Sequence, residues 1–174
     1  MKFLINRYYS LYRFLLVVLS FVFLCVLSTE GFAQEPPPRP VEVTVNQNLG
    51  FGAFSHGASG GTITIGTSGV RSSTGTVIPL NLGYSFSTAI YKLIANPGTV
   101  ISILNGPDVS LPGSNGGSMS LHIGASDPAT PFVITTDPPA FTLMQVGGTL
   151  TVGNTAANPP GNYNGTFNIT FIQE

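Results

Sequence analysis

Few side chains in this sequence of 174 residues have the types and spacing for chemistry. The two histidines are His56, in the Gly/Ser-rich stretch FSHGASGG, and His122, in SMSLHIG. A zinc or copper centre needs several imidazole or thiolate ligands at short spacings, and neither HxH nor HExxH occurs. No metal site and no cofactor are therefore expected. Asp108, Asp127 and Asp137 each sit beside a proline, where a carboxylate usually caps its own turn. A glycosidase would need two of them facing each other across a cleft, and their turn settings give no sign of such a pair. The serines fall in loops or on polar strand faces, which gives no support to a nucleophile elbow. The glycines of FGAFSHGASGG lack the lysine and the following helix of a phosphate loop. Asn164-Gly165-Thr166 and Asn168-Ile169-Thr170 have glycosylation-sequon form, but lie within or beside a predicted strand and are read as coincidence. The chemistry points away from an enzyme.

The positive charges Lys2, Arg7 and Arg13 precede the apolar run FLLVVLSFVFLCVL, and a polar stretch then ends in Gly31-Phe32-Ala33. This is the layout of a secretory signal peptide, with cleavage expected after Ala33. The run is too short for a membrane span, which takes about 20 apolar residues. Leu24 before Cys25 argues against lipid attachment. The expected organisation is thus a signal peptide over residues 1–33, a Pro-rich flexible leader over 34–40 and one domain over 41–174. The protein is expected to be exported, to the periplasm, the cell surface or the medium. No membrane association is expected after cleavage.

Without the leader, Arg39, Arg71 and Lys92 stand against Glu35, Glu42, Asp108, Asp127, Asp137 and Glu174, a net charge of 3 − 6 = −3. That balance gives no electrostatic footprint for nucleic acid. No cysteine remains, so no disulfide can staple the domain and the core alone must hold it.

Period-two alternation recurs along 41–174, beginning with Val41, Val43 and Val45, the pattern of a strand with one buried face. Further strands are predicted at 61–66, 76–80, 88–94, 99–104, 118–123, 132–135, 141–146, 149–152 and 166–172. Turn formers separate them, among them Asn96-Pro97-Gly98, Asn115-Gly116-Gly117 and Pro160-Gly161-Asn162. About nine to ten short strands at this spacing predict an all-β, antiparallel sandwich, immunoglobulin-like or jelly-roll-like. Gly61-Thr62-Ile63-Thr64-Ile65-Gly66 is echoed by Gly148-Thr149-Leu150-Thr151-Val152-Gly153, which suggests two related hairpins or merely two glycine-flanked strands.

The closing segment Gly161-Asn162-Tyr163-Asn164-Gly165-Thr166, followed by an alternating strand, resembles a bacterial secreted family known as domain of unknown function 4402 (DUF4402). The resemblance extends to Asn48-Leu49-Gly50-Phe51-Gly52, to Arg71 after Gly-Val, and to Gly147–Val152. It implies export and a β fold. A looser similarity runs to chaperone-usher pilins and spore-coat-U-like subunits, which end in an alternating strand that pairs with a chaperone or a neighbour. Gly161 suits the position of the pilin glycine, whereas Gln173 replaces the next-to-last tyrosine and the pilin cysteines are missing.

With so few charges, polarity comes from Ser, Thr, Asn and Gly, which hydrate a surface without repelling a neighbouring sheet edge. The expected function is a non-enzymatic, exported structural protein, a surface, fimbrial or adhesin-like subunit. The alternative is a monomeric carbohydrate- or small-ligand-binding module using loop tips such as 51–61. The expected assembly edge comprises Val41, Val43, Val45, Gly161, Phe167, Ile169 and Phe171. Its partners would be like subunits or a periplasmic chaperone.

Overall fold

The computed structural model describes residues 13–16, 18 and 39–174. The expected signal peptide and all but Arg39 and Pro40 of the Pro-rich leader lie largely outside the described residues. Residues 13–16 and 18 are helical, and no described helix is long and apolar enough to cross a membrane.

Residues 39–174 form an antiparallel β-sandwich. Its strands are β1 (Glu42–Gln47), β2 (Gly50–Phe51), β3 (Phe54–Ser55), β4 (Gly61–Ile65), β5 (Arg71–Ser73), β6 (Ile78–Pro79) and β7 (Phe86–Ser87). They continue with β8 (Ala89–Ile94), β9 (Val100–Asn105), β10 (Val109–Pro112), β11 (Ser118–Asp127), β12 (Phe132–Val133), β13 (Thr142–Val152) and β14 (Ile169–Gln173). The count exceeds expectation because β2, β3, β5, β7 and β10 have only two to four residues each, too few for alternation to show in sequence, whereas β6 and β12 are the short cores of the predicted strands 76–80 and 132–135.

One sheet has seven strands in the order β1-β8-β13-β11-β10, with β4 also on β13 and β5 on β4. The second has three, β12-β9-β14, and two short ribbons, β2-β7 and β3-β6, complete the fold. The apolar residues of each alternating run turn inward: Ile63 and Ile65 of β4, Leu93 of β8, Met144 and Val146 of β13, and Ile101 of β9 are fully buried. Tyr91 of β8 meets Phe171 of β14 edge to face across the layers, with ring centroids 5.4 Å apart.

Strand β13 organises the large sheet. The predicted strands 141–146 and 149–152 are one continuous strand, because Gly147 and Gly148 carry the ladder through rather than interrupting it. Its first half pairs with β8 and its second with β4 on the same edge, while β11 runs along the other. The change of partner occurs at Gly147, where an added Cβ would lie 2.5 Å from the Ile65 carbonyl oxygen. Only a residue without a side chain allows the two partners to abut there.

The sequence echo has a direct explanation, since its two copies are β4 and the second half of β13, paired with each other. Ile63 stands opposite Leu150, and Thr64 opposite Thr149 with their hydroxyls 3.0 Å apart. Matching residues face matching residues because both strands bury one face and hydrate the other. The echo is therefore one strand pair, not two related hairpins.

Candidate assembly edge

Strand β1 lies at the end of the large sheet and pairs only with β8. Val43 stands opposite Leu93, and Val45 opposite Tyr91. Directly opposed residues in an antiparallel ladder point to the same side. Leu93 is fully buried and Tyr91 packs on the second sheet, so both valines face the core side. Yet Val43 is 36% and Val45 58% exposed, and all six residues of β1 are exposed. The expectation of a strand with one buried face needs correcting: the alternation is right, but the small sheet does not cover it. Val41, just before β1, is half-buried against the core.

Strand β14 lies at one end of the three-stranded sheet and pairs only with β9. Ile169 and Phe171 on its inward face, and Phe167 two residues before it starts, pack on the core, each half-buried; the predicted strand 166–172 thus begins only at Ile169. The side-chain amide of Gln173 joins the two edges: Oε1 accepts from the Val41 N–H at 2.9 Å, and Nε2 donates to the Arg39 carbonyl at 3.1 Å. The residue that departs from the pilin pattern thus ties the entry to β1 onto the last strand.

Gly161 is not part of this edge. An added Cβ would come 2.8 Å from Ser114 Oγ, because the 160–163 turn docks on the β10–β11 hairpin. There Asn115 Nδ2 donates to the Pro160 carbonyl, the Ser114 N–H donates to the Asn162 carbonyl, and Tyr163 donates its hydroxyl to the Pro159 carbonyl. Such a tyrosine bond back to the chain just upstream is a device that β-sandwiches use to secure a corner.

Of the chemistry-bearing residues, His122 is on the exposed face of β11 as expected, with Nδ1 2.7 Å from Asp108 Oδ1. Asp108 therefore bonds across strands instead of capping its own turn, and Asp127 is the last residue of β11. Both partners of the His122–Asp108 pair are more than half exposed, and an ion pair so placed contributes little. Residues 57–61, GASGG, do have G-x-S-x-G spacing. Ser59 lies in an exposed turn entering a strand, not on a strand-to-helix turn, so no nucleophile elbow forms. Gly60 has φ +66°, and an added Cβ would collide with the Val152 carbonyl, so this glycine serves close packing. Among the described residues, no group of three or more His, Cys, Asp and Glu converges.

Two polar residues carry structural weight that sequence reasoning missed. Thr88, buried, donates its hydroxyl to the Val146 carbonyl at 2.7 Å. Asn158 is 1% exposed, accepts from the Gly153 N–H, and donates to the Ser118 and Ala157 carbonyls. It ties the end of β13 to the start of β11. In sequence it is one more polar residue in a Pro/Asn-rich loop.

No curated protein and no solved structure matches the chain. The family model described as domain of unknown function (DUF4402) matches residues 41–172, from the entry to β1 to the penultimate residue of β14. The chain belongs to the DUF4402 family.

Proposed function

We propose that this domain is a non-enzymatic structural subunit of an exported assembly, a surface, fimbrial or adhesin-like component that joins its neighbours by strand pairing. The observation that carries the reading is the exposure of Val43 and Val45 on the core-facing side of an edge strand. Monomeric sheets blunt their edges with lysine, proline or inward charge, and β1 has only Glu42, at its start. An added strand gains main-chain hydrogen bonds and covers apolar side chains at alternate positions, the usual physics of strand addition. The natural donor is a second copy, whose residues 34–46 bring a Pro-rich sequence and the same alternating valines.

Light scattering and size exclusion of the chain beginning at Gln34 test this. The intact chain is expected to associate with rising concentration, and a chain lacking residues 34–46 to stay monomeric. Changing both Val43 and Val45 to Lys should abolish association while altering subunit stability by about 0.5 kcal/mol or less, since both are exposed surface positions. A monomer at all concentrations in the intact chain would overturn the reading.

A further inference from the structure

Arg71, the first residue of β5, is held by backbone. Nη1 donates to the Phe51 and Ala53 carbonyls at 3.1 Å each, and Nη2 to the Leu80 carbonyl at 3.3 Å. The guanidinium also lies 4.3 Å from the ring centroid of Phe86. Gly52 makes this possible, because a Cβ there would come 2.8 Å from Nη1. A guanidinium has five N–H donors, so five minus the three bonded here leaves two.

No carboxylate pairs with it: among the described residues, the ion pair present is His122–Asp108. Arg71 also forms one wall of an open cleft of about 610 Å³, whose other lining includes Asn81, Tyr84, Ser85 and Phe86. Among the described residues, no acidic residue lines this cleft. Tyr84 is 68% exposed, far more than an aromatic side chain needs for packing.

We propose that this cleft binds a carboxylate-bearing pyranose. The carboxylate meets the spare N–H groups of Arg71, the sugar face stacks on Tyr84, and the hydroxyls bond to Asn81 and Ser85. Charge complementarity selects the anion, because the cleft has one formal charge and it is positive. A guanidinium prefers a planar carboxylate that can take two N–H groups at once. The three carbonyls and the Phe86 ring hold it before any ligand arrives, so binding need not order a long side chain. The site is separate from the assembly edge and does not depend on that reading.

Two-dimensional NMR titration of the chain beginning at Gln34, with glucuronate and a galacturonate trisaccharide at millimolar concentration, tests the proposal. Shifts confined to residues around 71 and 80–86 are expected, weakening as salt is added. Glucose and galactose should leave those signals unmoved; equal binding of the neutral sugars would overturn the role of Arg71. Acetate binding as tightly as glucuronate would reduce the site to an anion contact and overturn the sugar assignment. No shift with either acidic sugar would overturn the proposal entirely. Arg71→Gln should remove binding, but it also removes a strut. Tyr84→Ala leaves the strut intact and should weaken glucuronate binding by about three- to tenfold without lowering the melting temperature. Unchanged affinity in that variant would overturn the stacking role.

Discussion

Tyr91 contributes to the sandwich's response to alkaline pH. Half-buried between the sheets, its phenol is raised above its usual value of 10.0 by loss of solvent. Below about pH 10 the folded and unfolded chains both keep the proton and the shift contributes nothing adverse. As pH rises further, the unfolded chain releases the proton first, binds fewer protons than the native state, and becomes favoured. Stability is therefore lost as pH rises through the folded-state value. Tyr91→Phe keeps the edge-to-face contact with Phe171 and removes the proton, so its melting temperature should fall less than wild type between about pH 8 and about pH 11. Parallel curves for the two proteins would show that Tyr91 does not govern the alkaline limb. The position was visible in sequence only as one apolar site in the run 88–94. That it touches the last strand depends on how the two sheets cross, which alternation does not encode.

At the scale of elements, the last strand tests the architecture. Full burial of a large apolar side chain stabilises by about 1.5–3 kcal/mol. Half-buried Phe167, Ile169 and Phe171 contribute correspondingly less each, about 1 kcal/mol. Their sum, with the β14–β9 ladder, is a large part of a total stability of about 5–15 kcal/mol. A chain ending at Gly165 also loses the Gln173 amide that secures Arg39 and Val41. It is expected to show no cooperative melting transition by circular dichroism; a cooperative melt would make β14 peripheral. The strands most legible in sequence were those with several alternations and a single buried face, such as the predicted 118–123, whose Met119, Leu121 and Ile123 are buried, although β11 runs on past a register shift to Asp127. Gly147 and Gly148 misled because glycine ordinarily ends a strand, and here two partner strands meet over it. The edge strand β1 was legible in residue type, since Val43 and Val45 alternate along it. Their exposure was not, because burial depends on whether an opposing strand exists, and pattern within one strand is silent on that. Gly161 points to the edge through its likeness to the pilin glycine, but it lies in the 160–163 turn that docks on the β10–β11 hairpin.

For the molecule as a whole, sparse charge, an uncovered edge strand and an independently charged cleft divide the surface into two regions of different physical character. The first favours contacts that depend on apolar area and backbone pairing, which tolerate salt; the second favours an anion, which salt weakens. The Gln173 clamp has a topological consequence. Because it grips Arg39 and Val41 from the last strand, the domain begins and ends at one corner, so the order in which the chain visits its strands can be rotated. A circular permutant joining Glu174 to Arg39 by a short linker, and opened at Gly69, where φ is +76° and an added Cβ would meet nothing within 4 Å, should fold and melt cooperatively. Failure of that permutant to fold would show that the ends are held together by the continuity of the chain elsewhere and not by the corner itself. If it folds, β1 becomes an internal segment with a short linker in place of the Pro-rich leader, and the sheet edge can no longer be reached by a free end.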